Sequence, residues 1–182
     1  MEFRKRGLGN CRMEDLALSG LISKGTLYQY FTNKDEIYEE LLWSYSQNLE
    51  SFLKKHFEIR SEDLNLPKNR LEMRQFLTKF FANLCQFCAD DTEAFKLFLG
   101  ELFVRESRLH AGIRHLQNYV EEQKNRQIIR SQSNPETLSQ MLFQIWRSLL
   151  LQWLTEDRPK LFGISHTDDF VNLSLDLLKI DS

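Results

Sequence analysis

The sequence is poor in the residues that break helices or build sheets. It holds seven glycines and three prolines in 182 residues, with long stretches that contain neither. Valine, a strong sheet former, occurs only at Val104, Val120 and Val171. These scarcities exclude a sheet-rich chain and predict an all-α fold. The three cysteines are Cys11, Cys85 and Cys88. An odd count without a secretory signal pattern excludes a disulfide scaffold and fits a reducing cytoplasm. Long apolar runs are missing as well. The most apolar stretch, residues 141–154, is interrupted by Gln144, Arg147, Ser148 and Gln152. It is shorter than the roughly 20 apolar residues that a membrane-spanning helix requires. There is no glycine loop for phosphates, no nucleophile elbow and no HExxH pair. His56, His110, His115 and His166 are scattered and form no dense ligand cluster. The chain therefore reads as a protein without enzymatic activity, metal or cofactor.

What is present begins with charge. The net charge of −2 hides an asymmetry: residues 1–34 carry six Lys/Arg against three acids, and the rest of the chain is acidic. A basic head on an acidic body suits a polyanionic partner for the head alone. Residues 13–22, MEDLALSGLI, read as a short amphipathic helix and a tight turn, and residues 23–38, SKGTLYQYFTNKDEIY, as two helix starts joined by a turn. Together they make a helix-turn-helix. Ala17 is small enough for two helices to cross closely, and Leu16, Leu21, Ile22, Leu27 and Tyr30 are expected to close a miniature core.

The second helix of this pair has a polar leading edge. Ser23 caps it and, with the free amides behind, offers a phosphate site. Lys24 and Thr26 project from the first turn, where a recognition helix meets base edges. Gly25 permits close backbone approach. Tyr28 presents a phenol hydroxyl to a backbone phosphate, and Lys34, at the next helix start, is placed for a second one. Such contacts fix position without reading sequence. The alternative is a pair of short core helices with no DNA role.

The remaining pattern predicts helices over residues 34–59, 67–89, 109–130, 134–157 and 168–180, with a further one running through Phe95 to Phe103 after an interruption at Asp90, Asp91 and Thr92. Asn33 and Glu36 have capping-box spacing, Pro67 suits a first helical position, and Asn134-Pro135 is a strong start signal. Residues 158–167 read as a loop. Two regions follow: a head over residues 1–34 and a helical body over residues 35–182.

The stretch from Leu16 to Tyr38 resembles the TetR (tetracycline-repressor-like) family of bacterial transcriptional regulators. The resemblance is specific from about Phe3 to Leu42 and general beyond, where NPETLSQMLFQIWRSLLLQWL is similar to the family's penultimate, dimer-forming helix. It implies a homodimer that binds an operator in double-stranded DNA and is released by a small-molecule effector held in the body. It also implies DNA contacts from Ser23, Lys24, Gly25, Thr26, Tyr28 and Lys34, with Arg12 at the front of the preceding helix. The sequence departs from the family at three places. Leu21 stands where the family has its turn glycine, and a left-handed leucine there costs on the order of 1–2 kcal/mol. Cys11 and Arg12 replace a capping Thr or Ser. Only Met1 to Arg6 precede Gly7, so the first helix is expected to be largely missing and part of the head's core uncovered. A rival reading follows: a helical dimer that binds a small molecule or a partner while its head no longer grips DNA.

In the body, apolar residues lie almost all round the helix from residue 141 to 154, so one face is left for a further partner. Phe143, Trp146, Leu150 and Trp153, with Phe170, Leu173 and Leu177 of the last helix, are the candidates for a four-helix dimer interface; filling a monomer core is the alternative. Fourteen phenylalanines supply the material for a cavity. Phe80, Phe81, Phe98, Phe103, Tyr119 and Phe143 are candidates to line a pocket for an apolar or aromatic effector, against the alternative of plain core. Tyr119, Gln123, His115 and Gln144 are candidate polar groups in it. Cys85 and Cys88 have redox spacing on an apolar helix, which leaves thiol sensing as a further alternative to simple burial.

Overall fold

The computed structural model describes residues 2–58, 66–102, 110–155 and 164–180. Among them are nine helices and no strand: α1 (Glu2–Asn10), α2 (Met13–Ser19), α3 (Lys24–Tyr30), α4 (Lys34–Phe57), α5 (Arg70–Asp90), α6 (Thr92–Leu102), α7 (His110–Asn125), α8 (Pro135–Thr155) and α9 (Ile164–Leu178). The all-α expectation holds. Helix starts follow local side chains. Asn33 Oδ1 accepts from Glu36 N at 2.9 Å, while the Glu36 carboxylate reaches back one residue further than a standard box, to Thr32 N. Asn134 Oδ1 caps α8 through Thr137 N at 2.7 Å, and Asp91 Oδ1 caps α6 through Ala94 N at 3.0 Å.

Two boundaries differ from expectation. Pro67 precedes α5 rather than opening it, because Asn69 takes the cap: its Oδ1 accepts from Glu72 N at 2.9 Å, and the Glu72 carboxylate accepts from Lys68 N at 2.9 Å. The last helix begins at Ile164, so residues 164–167 are helical where a loop was expected. At the other end of α7, Gln127 adopts φ 61°, and Ile128 N then donates back to the Gln123 carbonyl at 3.0 Å. This turn sends Ile129 into the core.

The chain divides into two compact units. One comprises residues 1–49 and 91–108, and the other residues 50–90 and 109–182. The division falls within α4. The reason lies in the first half of that helix. Ile37 packs on the head's core, Tyr38 meets Phe3 edge-on at 5.3 Å, and Tyr45 lies 6.2 Å from Phe95 and 5.0 Å from Phe98 of α6. These contacts join the helix and α6 to the head.

The second unit is held by an aromatic core. Phe57 contacts Phe76, Phe80, Tyr119 and Trp146, with ring centroids 4.8–5.9 Å apart. Leu138, Leu142, Leu149, Val171 and Leu175 bring α8 and α9 into the interior. Arg74 pairs with Asp168 at 3.0 Å and Arg70 with Asp176 at 2.8 Å, which sets the register of α5 on α9. These half-exposed pairs add little stability. Leu71 of α5, although apolar, points outward.

Candidate nucleic-acid interface

The head is built on Met13, Ala17 and Leu27, with Leu16, Phe31 and Ile37 packed against them. Leu21, Ile22 and Tyr30, expected in this core, are exposed; Met13, Phe31 and Ile37 do their work. The first helix is formed despite its shortness. Its Phe3 is buried against Tyr38, and Arg6 reaches Asp15 of α2 at 3.3 Å. Gly7 takes a left-handed φ of 71°, which kinks α1 and which glycine tolerates without strain. Cys11 is buried beside this kink, and burial pushes its thiol pKa up.

Helix α2 has half of a capping box. Asp15 Oδ2 accepts from Arg12 N at 3.1 Å, but the Arg12 side chain has no acceptor to return the bond. The replacement of Thr or Ser by Cys11 and Arg12 thus has the expected consequence. The turn that follows places Leu21 at φ 54° with its side chain almost wholly in solvent. Ile22 N then donates to the Ala17 carbonyl at 3.0 Å and closes the α2–α3 elbow.

Helix α3 has only seven residues, too few to persist alone. Ser23 supplies what it lacks: its Oγ accepts from Thr26 N at 3.0 Å and shares a hydrogen bond with Thr26 Oγ1 at 2.8 Å. Leu27 anchors the inner side. The outer side presents Ser23, Lys24, Gly25 and Tyr28 as exposed residues, with Thr26 half-buried between them. A Cβ at Gly25 would meet nothing closer than Ser23 Oγ at 3.7 Å. No contact within the chain requires glycine there, which leaves its smoothness available to an outside surface.

Two cations of this edge are already engaged. Lys24 Nζ pairs with Glu14 of α2 and lies 5.8 Å from the centre of the Tyr28 ring. The hydrogen bond to Lys24 holds the Glu14 carboxyl below the usual range, and the same bond raises the Lys24 pKa. Lys34 Nζ donates to the Gly9 carbonyl at 2.8 Å, tying the end of α1 to the start of α4. One N–H of an ammonium serves that bond, and two remain. Arg12 is exposed at the front of α2. Nothing in the sequence marks Glu14 as a partner of Lys24, because the pair joins two helices across ten positions.

The candidates in the body separate. Phe80, Phe81 and Tyr119 gather with Trp146 in the second unit. Phe98 belongs to the first unit, against Tyr45, and so does not join them. Phe103 lies outside the described residues. Phe143 is half-buried. Among the proposed interface residues, Trp146 is a correction: it stacks on Phe57 at 5.6 Å and is 3% exposed, so it belongs to the interior. Leu150, Phe170 and Leu177 are half-buried and Leu173 is 52% exposed, whereas the side chain of Trp153 lies outside the description. The outward face of α8 is carried by Met141, Gln144 and Ile145 instead. With Thr137, Gln140, Leu173 and Leu177 they line an open groove of about 610 Å³. Met141 and Ile145 stand only one or two positions before the expected Phe143 and Trp146, and each position turns the face by about 100°.

Cys85 and Cys88 are thiols, Cys88 fully buried. Burial pushes the Cys85 pKa up to about 11, opposite to what a reactive thiol needs. Among the described residues no group of His, Cys, Asp or Glu is placed to hold a metal, and no helix is long and apolar enough to cross a membrane.

A capped, outward-facing second helix, a basic rim and a short three-helix core define a helix-turn-helix head of the DNA-binding class. Residues 1–41 match the family described as bacterial regulatory proteins, tetR family. That match covers the head alone; over the rest of the chain the likeness, to solved structures each 20% identical or less, is one of fold. A Clostridium perfringens fatty acid metabolism regulator shares 20% identity, with a TM-score of 0.70 over 97% of this chain and 92% of that one. FadR from Bacillus subtilis, in complex with stearoyl-CoA, shares 16% identity, with a TM-score of 0.65 over 96% of this chain and 92% of its own. PfmR from Thermus thermophilus shares 16%, with a TM-score of 0.65 over 99% and 94%. No curated protein sequence matches the chain.

Proposed function

We propose that the protein is a homodimeric transcriptional repressor that acts in the cytoplasm and leaves its operator when a small apolar or aromatic effector binds its body. The observation that carries this reading is the Ser23-capped α3, anchored by Leu27 and exposing Lys24, Gly25 and Tyr28. Arg12, Ser23, Lys24, Gly25, Thr26, Tyr28 and Lys34 are assigned to DNA. The groove of Met141, Ile145, Leu173 and Leu177 is assigned to the twofold-related copy, extended by Phe143, Leu150, Trp153 and Phe170. Residues 1–34 carry the DNA function. The body, residues 35–182, carries effector binding and dimerisation, with Phe80, Phe81 and Tyr119 at the pocket.

Helix α4 runs unbroken from Lys34 to Phe57 and takes part in both units, so it is the element through which an effector in one alters the other. Shifting the head pair from mostly competent to mostly incompetent takes about 5 kcal/mol of differential effector affinity. Two relatives in fold were solved with acyl-CoA bound, which supports an apolar effector. The formed α1, covering the head through Phe3, favours a DNA-binding head over an inert one.

Selection from random duplexes at fixed ionic strength is the direct test, and enrichment of a pseudo-palindrome is the expected outcome. Tyr28→Ala and Lys34→Ala each weaken binding to every sequence, and Lys34→Ala lowers the slope of log K against log salt by about 0.9. A Lys34→Ala slope equal to wild type rejects the phosphate role of Lys34, and unchanged affinity in Tyr28→Ala rejects that of Tyr28; no enrichment rejects the reading.

A further inference from the structure

Two polar atoms in the interior of the second unit have no hydrogen-bond partner among the described residues, Gln123 Oε1 and Trp146 Nε1. Gln123 is fully buried and Trp146 is 3% exposed. The Gln123 amide is held only by its other end, where Nε2 donates to the Tyr119 hydroxyl at 3.3 Å. That hydroxyl in turn faces Met73 Sδ at 3.9 Å, a weak acceptor. Turning the amide over gives Tyr119 a better acceptor but leaves the Nε2 hydrogens unpaired in its place. A buried donor or acceptor without a partner is destabilising, whereas an apolar side chain of the same shape is not. Glutamine and tryptophan at these positions therefore point to a group that arrives from outside.

Trp146, and the Tyr119 that Gln123 holds, lie against one ring. Phe57 stacks on Trp146 at 5.6 Å and 11°, and meets Tyr119 edge-on at 5.4 Å. Phe76 and Phe80 complete the aromatic surroundings. The buried polar residues of the described chain are Gln123 and four serines, with no buried Lys, Arg, His, Asp or Glu. Three of those serines donate their hydroxyls to backbone carbonyls of their own helices. An anion brought into this interior would find no buried counter-ion: Arg126, whose charge reaches the Tyr119 hydroxyl, is exposed and already paired with Glu122, so most of the desolvation cost would remain.

We infer that the effector is a neutral molecule with a compact aromatic or apolar body and a hydroxyl group, recognised by Gln123 and Trp146. The hydroxyl hydrogen is donated to Gln123 Oε1, and the hydroxyl oxygen accepts from Trp146 Nε1–H. A hydrocarbon offers neither partner, and a carboxylate offers no hydrogen to Gln123. Gln123 and Trp146 thus determine effector specificity, a role that rests on the effector-binding body proposed above.

The test uses the full chain and three probes of one shape: 2-naphthol, naphthalene and 2-naphthoate, titrated by calorimetry at pH 7. The expected result is 2-naphthol binding about tenfold or more tightly than either of the others. The indole N–H resonance of Trp146, assigned by its loss in Trp146→Phe, moves downfield with 2-naphthol and not with naphthalene. In Gln123→Leu the preference for 2-naphthol disappears while naphthalene still binds. Equal affinities in the wild type, no binding of any probe, or a preference that survives Gln123→Leu overturns the inference. The wild-type comparison stands even where a variant does not fold. Duplex binding is measured in parallel without probe. Protein that binds DNA but shows no hydroxyl preference loses only this inference; protein with the preference that ignores DNA keeps the site and loses the repressor.

Discussion

Leu21 carries backbone strain that no packing offsets: it is left-handed at φ 54° while its side chain is almost fully exposed. Glycine removes that strain and loses no contact. Leu21→Gly is expected to stabilise the protein by about 1 kcal/mol, after the larger unfolded-state entropy of glycine is subtracted. A higher urea midpoint at unchanged m-value is the check. Glu14 matters for a different reason, since its carboxylate occupies the Lys24 ammonium on the edge assigned to DNA. Glu14→Gln releases Lys24 and removes a negative charge next to the incoming phosphates. Duplex affinity at low salt should rise severalfold, with a salt slope steeper by up to about one unit. The pair is fully exposed and contributes little to folding. Its pH behaviour follows the sign of the shifts. Glu14, with its pKa lowered, loses its part as pH falls through the acid range, and Lys24, with its pKa raised, loses its part only in strong base.

Helices are legible in the sequence wherever a capping residue meets an apolar period. Asn33, Asn134 and Ser23 each mark a start that the structure keeps. Pro67 misleads as a start, because Asn69 Oδ1 accepts from Glu72 N while the Glu72 carboxylate accepts from Lys68 N, and the two bonds fix the actual one. Apolar identity alone misleads at Trp146 and Leu71. On a helix that is apolar nearly all round, periodicity cannot say which side turns inward, and the Phe57 ring that decides it comes from a different element. The outward edge of α3 is readable because its chemistry is local; the Glu14–Lys24 pair is not, because it forms between helices. The core itself is expected to behave as one tightly packed cluster. Phe80, 1% exposed and in contact with Phe52, His56, Phe57, Phe81 and Trp146, should cost about 3–5 kcal/mol on replacement by alanine. Chemical denaturation measures that loss, and a cost near zero would mean that these rings are not packed in solution.

In the proposed homodimer, affinity for an operator depends on two heads acting together. Met141 and Leu173 are apolar, about half exposed, and line one groove. Leu173→Glu places a charge there without touching the interior and should convert the dimer to a monomer in analytical ultracentrifugation. The monomer keeps its helical circular dichroism but loses roughly 10²–10⁴-fold in operator affinity, the contribution of the second head. Trp146→Phe, which alters only the interior, should leave the dimer intact.

The sharing of α4 between both compact units has a practical corollary. A transplant of this DNA reader onto a foreign sensor that is cut at residue 34 would strip Ile37 and Tyr38 from beneath it. The donor fragment has to run to Leu49 and bring residues 91–108 along as a second, separate piece. Modular shuffling of such proteins at the visible end of the motif would then yield exposed hydrophobic seams, whereas a crossover inside the shared rod, made together with that second piece, keeps both halves.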